Sequence, residues 1–303
     1  MVSSLRGVLS VAVTVPVLAI MAAPPAVADP NSRPGTFAER PRDAAVHAVD
    51  GEVHSLAQVG STIVFGGSFT RVGPVTRGAA GIVDTAASSF GESFPDVNGA
   101  VTVAIPDGNG GYFLGGNFTS VGGQARSNLA QVDSSGAVTA FDPSPNGVVN
   151  DLALDANRLV VGGAFTTIAG QPAGAVASLS PAGSFQWGGT VTGGAVRTVG
   201  ISQAGDLVYV GGDFSQVGGV VFRRLAGLDA ATGLRNTTFA VGTPNQPVAD
   251  LAVRPGGTLL FVGSFTAVGG VSRVRIAQVD ATIGRVGAGF DERRVAEQEF
   301  LDG

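Results

Sequence analysis

Apolar residues in this chain come in short runs bounded by Gly, Pro, Asp and Asn, and the runs recur in groups of four. Within one group, Val149–Leu154 precedes a turn, and residues 158–161 lead into a glycine pair. A third run has the form Asn128-Leu129-Ala130-Gln131-Val132-Asp133, and a fourth, residues 138–141, ends on Phe141. Runs this short between turn formers predict strands, and no helix is predicted between residues 50 and 290. The turns carry hairpin chemistry, as in Pro106-Asp107-Gly108-Asn109-Gly110, Arg254-Pro255-Gly256-Gly257 and Asp229-Ala230-Ala231-Thr232-Gly233.

The groups are copies of one another. A block of the form G-G-x-F-[TS] appears at Gly66, Gly115, Gly162 and Gly211, and once more with Val262 in the first glycine position. Its phenylalanines, Phe69, Phe118, Phe165, Phe214 and Phe265, are spaced 49, 47, 49 and 51 apart. Fifteen residues beyond each stands Asp84, Asp133, Ser180, Asp229 or Asp280, so a whole unit repeats. The five units run over residues 50–98, 99–146, 147–194, 195–246 and 247–290. One small sheet cannot bury both faces, so the units must stack, with the five Phe as anchors between neighbours. The predicted fold is an all-β β-propeller of about five four-stranded antiparallel blades. An open solenoid is the alternative, although its coils are usually shorter.

The block resembles the delta-60 repeat of bacterial secreted and surface proteins, which carries runs such as G-G-x-F-T-x-V-G-G-x-x-R-x-x-L-A-x-L-D. Residues 115–133 follow it almost position for position, and Arg77, Arg126 and Arg273 fill its Arg position. The third unit departs, with Ala173 and Ser180, and the fifth departs at Val262. A looser likeness is to kelch-like propellers. The resemblance implies a propeller in an extracellular or cell-envelope setting and brings no catalytic residues to carry over.

The ends of the chain add a compartment. A single Arg6, an apolar stretch over residues 8–23 and Ala26 and Ala28 before Asp29 read as a signal peptide, residues 1–28. Ser10, Thr14 and Pro16 interrupt the stretch, which is shorter than the roughly 20 residues of a membrane span. Residues 29–49 read as a flexible lead-in and residues 291–303 as a tail outside the repeat. The expected location is extracellular, with or without attachment to the envelope, and no membrane span survives cleavage. Cysteine is absent, so no disulfide or thiolate chemistry exists. Lys is absent too, and the Ala, Gly, Val and Arg usage suits a GC-rich bacterial genome. A net charge of −5 without a basic patch argues against nucleic acid as a partner.

Candidate chemistry is sparse. His47 and His54 are the only histidines, and no hydrolase, phosphate-loop or zinc spacing is present. The recurring Arg are read as structural, with a repeated ligand site as the alternative. What differs between units is a polar pair in each first strand: His54-Ser55, Thr102 beside Val103, Asn150-Asp151, Arg197-Thr198, and Asp250 after Ala249. First strands line a propeller's axis, so these residues are candidates for a site at one channel mouth, fit for a sugar or Ca2+. Polar walls around channel water are the other reading. No cofactor is required. The expected activity is non-catalytic binding of an extracellular glycan, cell-wall component or protein. The alternatives are a glycan-active enzyme with Asp151 and Asp250 as acid and base, and a purely structural surface module.

Overall fold

The structure, a computed structural model, describes residues 49–72, 75–76, 78–84, 89–91 and 94–286. The signal peptide, nearly all of the lead-in, Arg77 and the tail lie outside the described residues. Every described element is a strand.

Unit 1 is a four-stranded antiparallel sheet of Glu52–Val59, Thr62–Ser68, Ala80–Asp84 and Ser89–Gly91, in that spatial order. Unit 3 repeats it with Val149–Leu154, Leu159–Gly163, Val176–Leu179 and Phe185–Gly188. Units 2, 4 and 5 keep three strands, and their fourth shrinks to one bridge: Val132 to Val138, Leu228 to Arg235, and Val279 to Val286. An outermost strand has a ladder on one side only, so it is the first to shorten, and short edges resist unwanted pairing.

Units 2, 3 and 4 each present one sheet face to the unit before and the other to the unit after, and the apolar core lies between units. Phe113, Leu129 and Phe141 of unit 2 pack on Val149, Leu152, Val161 and Phe165 of unit 3. Val160, Val176 and Trp187 of unit 3 pack on Val196, Val199, Val210 and Phe214 of unit 4. The same arrangement joins unit 1 to unit 2 and unit 4 to unit 5. The five anchor phenylalanines are all at most 3% exposed. Polar tips tie the layers as well: Trp187 Nε1 donates to Ala230 O at 2.9 Å, and the Tyr209 hydroxyl donates to Ala281 O. Burial raises the Tyr209 phenol, with the nearby Asp206 and Asp280 charges adding to it, up to about 12.

Among the described residues, five units form four shared cores. No apolar cluster of the described residues joins unit 5 to unit 1; the outer face of unit 1 closes on itself through Phe65, Phe69, Val72 and Val49. Val53 and Leu56 of that face are 42% and 70% exposed, while Val149 and Leu152, their counterparts in unit 3, are 0% and 2% exposed.

Candidate functional site

All five first strands carry a β-bulge at the same place. The register skips a residue between Val53 and Ser55, Val101 and Val103, Val149 and Asp151, Val196 and Thr198, and Val248 and Asp250. The bulged residues are therefore His54, Thr102, Asn150, Arg197 and Ala249. Simple alternation would place Val196 and Thr198 on one face. The bulge instead puts Val196 and Val199 together toward unit 3, within reach of Gly162, and turns Thr198 toward unit 5.

The predicted polar residues consequently divide into two groups. At the bulge, the His54 ring nitrogen Nε2 lies 3.2 Å from Ser68 Oγ, and Arg197 pairs with Asp213 at 2.9 Å. Asn150 donates through Nδ2 to Val196 O of the next unit at 2.7 Å, and Thr102 is half-buried. Of the residues after the bulge, Asp151 and Thr198 face the following unit. Asp151 Oδ2 accepts the Val199 N–H at 2.8 Å and Oδ1 accepts that of Leu152 at 2.8 Å. Thr198 donates its hydroxyl to Asp250 Oδ1 at 3.1 Å and accepts the Leu251 N–H at 3.2 Å. Asp250 Oδ1 also accepts that N–H at 2.8 Å. Ser55, the counterpart in unit 1, has a buried hydroxyl without a hydrogen-bond partner.

Asp151, Thr198 and Asp250 are thus brought together across three units, while Arg197 is held by Asp213 and His54 by Ser68. Burial pushes the Asp151 carboxyl up to about 7, and the Asp250 charge adds to it against the pull of the Val199 and Leu152 N–H groups and the Thr198 hydroxyl. Burial also raises Asp250, opposed by the Leu251 N–H and Thr198. Chemically, the trio is a pair of partly desolvated carboxylates bridged by one hydroxyl. Among the described residues, no three His, Asp or Glu side chains come together as a metal centre.

The other motifs resolve into turns and ties. Asp107 accepts the N–H groups of Asn109 and Gly111 at 2.8 Å each and the Gln131 amide at 2.9 Å, which makes its loop a hairpin. Asp229 caps Ala231 and Thr232 in the same manner. Arg126 donates to Thr139 O at 2.6 Å and Ala125 O at 2.7 Å, which ties the hairpin to the outer edge of its unit, and Arg273 donates to Ser272 O at 2.8 Å.

One recurring device escaped the sequence reading. In units 1, 3 and 5 a short polar residue ahead of the first strand latches the Thr of the G-G-x-F-T block. Asn146 Oδ1 accepts the N–H groups of Thr166 and Thr167 at 2.8 and 3.0 Å, and its Nδ2 reaches Thr166 Oγ1 at 2.8 Å. Asn245 does the same to Thr266 and Ala267, and Asp50 to Thr70 and Arg71. The signal was available, because Asp50, Asn98, Asn146 and Asn245 all stand 20 or 21 residues before that Thr.

Comparison with known proteins agrees with this geometry. A family described as a domain of unknown function (DUF5122) β-propeller matches residues 157–186, the heart of unit 3. The crystal structure of the WD40 β-propeller domain of Doa1 superposes with a TM-score of 0.56 at 13% identity, covering 80% of this chain and 70% of that one. The fold is a β-propeller. No curated protein matches the chain. At that identity the likeness concerns architecture alone, and propellers use their loops and rims for unrelated tasks.

Two further surfaces of this propeller are apolar. The hairpin that follows the G-G-x-F block ends in exposed Val220 and Val221 in unit 4 and in exposed Val271 in unit 5. Units 2 and 3 present Gln124-Ala125 and Gln171-Pro172 at those positions.

Proposed function

We propose that this protein is a non-catalytic extracellular propeller of the delta-60 type that binds a protein partner through the hairpin rim of units 4 and 5. The observation that carries the reading is the exposure of Val220, Val221 and Val271 on neighbouring units, where units 2 and 3 carry Gln124 and Gln171. Apolar side chains grouped on a rim mark an interaction surface more often than they serve a lone domain. The inner polar residues support the same reading from the other side, since Asp151, Asn150, Thr198 and Asp250 are engaged in joining neighbouring units. The leader and the repeat type favour work outside a bacterial cell. A cell-wall polysaccharide is the alternative ligand.

A photo-crosslinking residue placed at Val221, and separately at Gln171, tests this in the secreted protein. The proposal expects a discrete protein adduct from position 221 and none from 171. Equal labelling at both, or none at either, would overturn it.

A second reading, a glycan-active enzyme, draws on the Asp151 carboxyl held near neutrality beside Asp250. It requires release of reducing ends from wall polysaccharide that disappears in Asp151→Asn and Asp250→Asn.

A further inference from the structure

The first glycine of each G-G-x-F block has a use that becomes visible only between units. A Cβ added at Gly66 would stand 2.4 Å from Val101 Cγ1 of unit 2, and one at Gly115 2.6 Å from Val149 Cγ1 of unit 3. At Gly162 it would meet Val199 and Val196 of unit 4 at 2.6 and 2.7 Å, and at Gly211 it would meet Val248 of unit 5 at 2.8 Å. Real Cβ atoms do not approach so closely, so each glycine is the recess that seats a valine of the following unit. The fifth unit carries Val262 in this position, and its side chain is half-exposed on the face that, among the described residues, no further unit covers.

The valine that such a recess would seat is Val53, the unit 1 counterpart of Val101, Val149, Val196 and Val248. Those four are fully buried, whereas Val53 and the neighbouring Leu56 are exposed. The rest of the unit 5 face retains the character of a docking face. Asp250 holds the chain position of Asp151 and Thr198, although its Oδ1 is engaged by Thr198 of unit 4 and by Leu251 N–H, and Leu260 and Ile276 are half-exposed. At this face unit 5 departs from the four internal junctions by carrying Val262 where units 1 to 4 carry glycine. A head-to-tail contact of this kind is heterologous, and unless it closes it propagates into filaments.

We infer that the exposed face of unit 1 is a self-association surface whose partner is unit 5 of a second copy of this chain, and that Val262 is the block that holds the copies apart. The valine fills the recess that Val53 of another molecule would need, so the two faces do not dock.

The test compares the secreted protein with Val262→Gly and Val262→Ala by light scattering and sedimentation over a wide concentration range, with thermal melts to establish folding. The expected result is a monomeric parent, a monomeric Val262→Ala that still carries the obstructing Cβ, and a Val262→Gly whose mass rises with concentration to twice the monomer or more. Adding Leu56→Glu to Val262→Gly should restore the monomer. A Val262→Gly protein that stays monomeric, a Val262→Ala that associates equally, or a parent already associated through Leu56 would each overturn the inference.

Discussion

Replacing Asp151 with Asn should flatten the dependence of stability on pH. Asp151 accepts N–H groups from Leu152 and from Val199 of the next unit, and burial holds its carboxyl at about 7 against an ordinary 3.8. The sign follows from that direction. Between the unfolded value and the raised folded value, the unfolded chain has released a proton that the folded protein retains, so stability is present at acid pH and is lost as pH rises through about 7. A displacement of about three pH units corresponds to roughly 4 kcal/mol at most, of which about 2 to 3 kcal/mol should fall between pH 5 and pH 8. Asn cannot titrate, and its amide turns a donor toward one of the two N–H groups, leaving that group unpaired at about 1 to 3 kcal/mol. The variant should therefore be clearly weaker than the parent at pH 5, with the gap closing or reversing at pH 8. Urea melts at the two pH values, followed through the single buried Trp187 at the same junction of units 3 and 4, measure both. Parallel pH dependences in parent and variant would refute the reasoning, because every other titrating group is common to the two proteins.

Other consequences follow from the same contacts. Gly162→Ala should destabilise by about 1 to 3 kcal/mol in urea melts, since its Cβ would meet Val199 and Val196 at 2.6 and 2.7 Å. Val262→Ala, at the equivalent position of unit 5, should change stability much less. Asn146→Ala should cost about 1 to 3 kcal/mol by freeing the Thr166 and Thr167 N–H groups, whereas Asn146→Asp should be tolerated as Asp50 is in unit 1; amide exchange at both threonines reads this out. Tyr209→Phe should lose about 1 kcal/mol with the hydrogen bond to Ala281 O, visible as a lower midpoint in a circular-dichroism melt.

The five-fold block was legible because one packing problem is solved five times with the same residues. Phe118, Phe165, Phe214 and Phe265 recur at nearly constant spacing because each fills the same place between two sheets, while Phe69 packs within unit 1, and all five are buried. The strand count was less legible. Fourth strands in units 2, 4 and 5 reduce to single bridges, and edge pairing depends on a neighbour that the local sequence does not describe. The delta-60 likeness and the leader bear on setting, and the propeller geometry bears on neither.

The candidate residues show where local pattern stops. In the sequence, Asn150-Asp151, Arg197-Thr198 and Asp250 look like equivalent polar pairs at one height. A β-bulge of one residue sends the two members of each pair to different surroundings: Arg197 to Asp213 within its unit, and Thr198 to Asp250 across the interface. Composition does not announce a bulge, because the extra residue is set by how two strands pair. Repetition, short strands and turn chemistry are local or periodic properties, and the sequence alone determined them. The raised Asp151, the glycine recesses and the isolation of Val262 depend on contacts between residues about one unit apart, which exist only once neighbouring sheets are stacked face to face.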